Sequence, residues 1–111
     1  MTGEQTKAPA RPSISVIVPV RAVDEEFLTC LRSLQDLDPG PREILLVLDG
    51  CFEEVPLGGN RDRAVRVIRL PRTEGPARAR NRAAATARGD VLFFLDADVV
   101  ARRDAVERIR R

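Results

Sequence analysis

The sequence predicts an α/β domain built on a parallel sheet, and three observations carry that expectation. Short β-branched or apolar runs at residues 14–20, 43–48 and 90–95 read as strands covered on both faces. Segments with helical apolar spacing separate them, the alternation that parallel sheets require. Each residue with evident chemistry then falls just after a strand, where ligand sites of such sheets lie.

The elements follow in order. Residues 1–12 read as a flexible leader, with Pro9 and Pro12 opposing regular pairing, and residues 13–111 as the folded domain. Ile14 to Val20 forms the first strand. Asp24 is a good N-cap, Glu25 and Glu26 suit the first turn of a helix dipole, and Val23 with Leu28 occupy staple positions. Phe27, Leu28, Leu31 and Leu34 make the apolar stripe of that helix, and Asp38-Pro39-Gly40-Pro41 stops it.

A second strand spans 43–48 and ends at Asp49-Gly50, followed by an irregular loop from Cys51 to Arg63. The run VRVIRL at 65–70 alternates valine, isoleucine and leucine with arginine, which predicts a strand near an edge with one wet face. Gly75-Pro76 opens a helix over 77–88, with Gly89 as its C-terminal cap. The strand 90–95 comes next, and a basic amphipathic helix runs from about Arg103 to Arg111.

Composition narrows the function classes. The chain has 111 residues, 43% of them hydrophobic and 32% charged, which fits one modest globular domain. No run approaches the roughly 20 apolar residues of a membrane span. Met1 to Pro12 lacks a signal-peptide core, so a cytoplasmic location is expected, at the inner face of the cell membrane if a longer parent carries an anchor. The net charge is only +2, and the arginines are mixed with acids rather than clustered with aromatics, which argues against nucleic acid as a partner. Cys30 and Cys51 have no metal-ligand spacing and read as reduced thiols, and the chain has no histidine.

The strongest chemical signal is Asp96-Ala97-Asp98, directly after an apolar strand. On an extended chain residues i and i+2 point the same way, so two carboxylates face one site. Such a pair repels itself unless a cation lies between, and oxygen ligands of this kind suit Mg²⁺ or Mn²⁺, ions that also bridge to phosphates.

ISVIVPVRAVDEEFLTCLRSL, EILLVLDG, VRVIRL and EGPARARNRAAATARGDVLFFLDADVV, in that order and spacing, resemble the N-terminal half of a family-2 glycosyltransferase over residues 13–101. The resemblance implies a GT-A fold, a Rossmann-like domain binding nucleotide-diphospho-sugars, here ending soon after the Asp-x-Asp turn. It implies that Pro19, Val20 and Arg21 meet the nucleoside base, largely through backbone groups. Arg21 and Ala22 depart from the family's usual aromatic and Asn, and Leu48 replaces the first of the two acidic residues the family often has here, Asp49 standing at the second. Asp49 is implied as the acceptor for the base N–H, Gly75 and Arg80 as the approach to the diphosphate, Asp98 as the main metal ligand, and Asp96 as a ribose or metal-shell contact.

The donor implied is of UDP type, with a divalent metal and an acceptor hydroxyl of unknown identity. The family's general base lies downstream of this turn, so no catalytic residue is assigned. Asp104 and Glu107 sit on a helix expected to lead away from the site. The isolated chain is expected to be inactive, and a non-catalytic nucleotide-binding half-domain is the alternative. Other nucleotide folds fit poorly. No G-x-G-x-x-G follows the first strand, Pro19 to Ala22 lacks the glycines of a sugar nucleotidyltransferase loop, and Lys7 is the single lysine, which leaves a receiver-type domain without its late lysine.

Overall fold

The computed structural model describes residues 11–111. Four strands, β1 (Ile14–Val20), β2 (Glu43–Asp49), β3 (Val65–Leu70) and β4 (Val91–Phe94), form one parallel sheet in the order β3-β2-β1-β4. Helix α1 spans Glu25–Gln35, α2 Pro76–Ala84 and α3 Ala105–Arg110, with a 3₁₀ turn at Asn60–Asp62 inside the long loop. The α/β class and the parallel pairing match the expectation. The leader expected at 1–12 lies outside the described residues as far as residue 10. Arg11 and Pro12 are tied to α3, through Arg11–Glu107 at 2.6 Å and Arg110 Nε to the Pro12 carbonyl at 3.0 Å.

β1 and β2 are central because their sequences can be buried on both sides. Six of the seven β1 residues and all seven of β2 are buried. Val16, Val18, Leu46 and Leu48 point to the layer of α1 and α3, where Phe27, Cys30, Leu31, Leu34 and Val106 complete one core. Ile17, Leu45 and Val47 point to the other layer, against Ala79 and Ala83 of α2. Each fully buried aliphatic chain contributes about 1.5–3 kcal/mol relative to exposure. Alanine at 79 and 83 lets α2 approach the sheet closely. The Asp24 cap forms as its sequence predicts, its carboxylate accepting from Phe27 N–H at 2.9 Å.

Three local expectations need correction. β4 is an edge strand, not one covered on both faces: Val91 is 36% and Phe94 44% exposed, since only β1 pairs with it. β3 is the other edge, as expected, but it has no single wet face. Arg66 and Arg69 are three residues apart and so lie on opposite faces. Arg66 donates to the Thr86 carbonyl beyond α2, while Arg69 reaches the Cys51 and Glu53 carbonyls. Helix α2 ends at Ala84, with Ala85 as its cap, so Gly89 does not cap it. Gly89 instead lets the chain cross Ser15: a Cβ there would lie 2.5 Å from Ser15 Oγ and 2.6 Å from its nitrogen.

That crossing belongs to a buried polar knot. Ser15 Oγ accepts from Gly89 N–H at 2.8 Å and donates to Glu43 at 2.6 Å. Glu43, 4% exposed, also accepts from Arg88 N–H at 2.5 Å and pairs with Arg66 at 3.1 Å. Burial alone pushes the Glu43 carboxyl up, but the bonds from Arg88, Ser15 and Arg66 outweigh it and hold the acid below its usual value. A depressed folded value means the stabilisation is complete above the unfolded value, about 4.3, and is lost as pH falls through the folded one. Glu43→Gln is therefore expected to cost about 1–3 kcal/mol at neutral pH and to flatten part of the acid-side fall in Tm. Thermal melts of both proteins from neutral to acid pH measure it, and parallel curves contradict the assignment.

Candidate functional site

The strand order doubles back between β1 and β4. The chain runs outward from β1 to β2 and β3, then returns across the other face through α2 to place β4 on β1's free side. In open α/β sheets the crevice outside the carboxyl ends at such a point is where ligands bind. The loops there are the one after β1 and the one after β4, and a cavity of about 250 Å³ lies between them. Pro19 and Arg21 line one side, Asp96 and Asp98 the other, and Pro76 at the start of α2 closes an end. Full small-molecule sites run about 300–1,000 Å³, so this cavity suits part of a nucleotide-sized ligand.

A larger cleft, about 570 Å³, lies between the end of α1 and residues 100–103. It is a weaker candidate because its Asp38 and Arg103 face each other, 3.7 Å apart, and no other strand-end loop reaches it.

The two aspartates meet by a different route from the one their spacing suggests. β4 ends at Phe94, and residues 97–98 form a turn closed by Val99 N–H to the Asp96 carbonyl at 3.1 Å. Both residues line the cavity across a turn rather than along an extended strand. Asp96 is ion-paired with Arg80 at 3.0 Å, whereas Asp98 has no hydrogen bond or ion pair among the described residues. Cys30 of α1 lies beneath: its thiol contacts the Asp96 carbonyl at 3.9 Å. Burial first, and then the Asp98 charge, push that thiol up to about 11. Cys30 and Cys51 are both free and buried.

Arg80 is half-buried on α2, and its Nε is buried without an acceptor. An unmet guanidinium donor beside an acidic turn is a group that a phosphate oxygen satisfies. Arg78 and Arg82 are exposed, Arg82 pairing with Glu74 at 3.1 Å. Asn81 is exposed, and among the described residues its side chain forms no hydrogen bond.

Asp49 is brought near this end of the sheet but not into the cavity. It is 2% exposed, and its two oxygens accept from Glu74 N–H at 2.7 Å and Gly75 N–H at 2.9 Å. The carboxylate thus fixes the loop that launches α2 at Gly75, whose φ of +95° suits glycine. Gly50 at φ +69° lets that loop approach: a Cβ there would collide with Thr73 Oγ1. Val20 is fully buried in the core, so only its backbone faces the loop.

Two acids not singled out for this site, Asp24 and Glu26, also line the cavity. Their signal was present: only residues 21–24 separate β1 from α1, which puts the start of α1 at the same strand end. Asp104 and Glu107 are spent elsewhere, on Arg102, Arg108 and Arg11. Among the described residues no three Asp, Glu, His or Cys side chains stand close enough to hold a cation by themselves. The free Asp98 carboxylate beside Asp96 fits a hard divalent ion whose other ligands are water and phosphate oxygens, which is how Mg²⁺-like ions are commonly held.

Comparison with known proteins points the same way. The family described as glycosyl transferase family 2 matches residues 15–111. An uncharacterized glycosyltransferase of Haemophilus influenzae is 32% identical over 106 residues, covering 87% of this chain and 40% of that protein. The pre-mycofactocin glycosyltransferase of Mycobacterium tuberculosis is 31% identical over 103 residues, covering 89% of this chain and 20% of the relative. Among solved structures, S. aureus TarS 1–349 in complex with UDP-GlcNAc superposes with a TM-score of 0.77 at 26% identity, over 87% of this chain and 30% of that one. The mannosyltransferase PcManGT of Pyrobaculum calidifontis, in complex with GDP-Man and Mn²⁺, gives 0.69 at 23% identity, over 91% and 34%. The chain spans two fifths or less of the length of these relatives. No helix among the described residues is long and apolar enough to cross a membrane.

Proposed function

The chain belongs to glycosyl transferase family 2, and from that premise we propose that it holds the nucleoside diphosphate of a sugar donor, of UDP type, for transfer of the sugar to an acceptor hydroxyl. The observation that carries this reading is the cavity at the β1/β4 switch point, lined by Asp96 and Asp98 and flanked by Arg80. A bound Mg²⁺ or Mn²⁺ would act there as a Lewis acid for the departing diphosphate. Asp98 would hold that ion, with Asp96 as a secondary ligand or ribose contact. Arg80 would turn its unmet Nε to a phosphate oxygen, and the Pro19–Arg21 backbone would border the base.

Asp49 would act on the donor through the Gly75 loop it fixes, with base contact limited to whatever its remaining lone pairs reach. No group of this chain is proposed as the general base: Asp104 and Glu107 are engaged in ion pairs outside the cavity, and of the two further acids that line it Asp24 is held as the cap of α1 and Glu26 is assigned no role. The chain by itself is therefore expected to bind donor without measurable transfer. The support is UDP-GlcNAc in one structural neighbour and GDP-Man with Mn²⁺ in another.

Calorimetric titration with UDP, in Mn²⁺, in Mg²⁺ and in EDTA, tests the proposal. Binding is expected in either metal and lost at least tenfold in EDTA. Equal heats with and without metal contradict the metal's role, and no heat under any condition contradicts the donor site.

A further inference from the structure

We propose a second anion site at the opposite, amino-terminal end of the sheet, taking a phosphate group. It does not depend on the donor reading. A small cavity of about 110 Å³ opens between the starts of β2 and β3 and the α2–β4 connection, and Arg42, Arg63, Arg66 and Arg88 all line it. Seven-residue β2 separates this end from the Asp49 end by roughly 20 Å at about 3.3 Å per residue.

The charges there do not cancel. Among the described residues Glu43 is the only carboxylate in the lining, and it is spent on Arg66, Ser15 and the Arg88 N–H. Asp90 lies near enough to Arg42 to feel its charge. Four guanidinium groups against these two carboxylates leave a local excess of two positive charges. Arg63 and Arg88 form no ion pair among the described residues and are exposed. Guanidinium groups arranged this way offer the planar donor forks that match phosphate oxygens.

The floor beneath them is rigid. Glu43 and Ser15 are buried, their oxygens take the Arg88 and Gly89 N–H groups, and Gly89 leaves no room for a side chain against Ser15. The backbone that carries Arg88 is thereby held in place before any ligand arrives, which lowers the ordering cost of binding. The ligand is a phosphate group, free or as a phospholipid headgroup.

Amide NMR spectra during titration with inorganic phosphate, in EDTA at low ionic strength, test the site. Saturable shifts are expected at Arg63, Ala64, Arg88 and Gly89. The exposed double variant Arg63→Gln/Arg88→Gln should keep its other amide shifts and lose at least tenfold in phosphate affinity. Sedimentation with phosphatidylglycerol vesicles, against phosphatidylcholine vesicles, tells the sources apart: selective pelleting that the double variant loses identifies a headgroup, and phosphate shifts without pelleting identify a free phosphate. Shifts confined to the Gly75–Arg80 end, equal shifts with chloride at matched ionic strength, or undiminished affinity in the double variant would overturn the site, as would the absence of both shifts and pelleting.

Discussion

Asp98→Ala is expected to lower UDP affinity in Mn²⁺ at least tenfold, to the level of the wild-type protein in EDTA, while leaving the fold intact. Tenfold corresponds to about 1.4 kcal/mol. The two aspartates differ in what already holds them. Asp96 already has Arg80 at 3.0 Å, so an ion competing for it must displace an existing partner. Asp98 has no hydrogen-bond or ion-pair partner among the described residues, so its carboxylate is open to an ion. Removing it costs no native hydrogen bond, and Tm should hold steady or rise slightly. Asp96→Ala should behave differently, with a smaller loss of metal dependence and a freed Arg80. Calorimetry on the two variants distinguishes them, and an Asp98→Ala protein with full Mn²⁺ dependence would refute the assignment.

Much of this arrangement was legible in the chain, and what was not has identifiable physical reasons. β1 and β2 declare themselves because both faces of each are apolar, which happens only in the middle of a covered parallel sheet. β4 is just as apolar but sits at an edge, and four residues carry no mark of which side is paired. The switch point depends on pairing order, which no local pattern records. The opposite facing of Arg66 and Arg69 was available from their spacing of three, a simple count that the look of alternation obscures.

Asp49 was the hardest to read. Its place after β2 was evident, but the Glu74 and Gly75 N–H groups that occupy it arrive from 25 and 26 residues later.

That double role of Asp49 supports the prediction with the largest expected effect on stability. Asp49→Ala leaves two backbone N–H groups without acceptors around a site 2% exposed. Each lost bond to a charged acceptor is worth about 1.5–3 kcal/mol, and partial rearrangement of the loop brings the total to about 2–4 kcal/mol. For a chain of this size that lowers Tm by about 10–20 °C. Asp49→Asn keeps one carbonyl acceptor but turns an NH₂ toward the other N–H, so it should fall between the wild type and the alanine variant. The same changes release the start of α2, where Pro76 borders the cavity and Arg80 follows one turn later, so UDP affinity should fall with stability. A residue that only touched the base would behave otherwise, losing UDP affinity at constant Tm. Melting and titration of both variants therefore separate a carboxylate that shapes the site from one that merely faces the ligand, and an unchanged Tm in Asp49→Ala decides against the former.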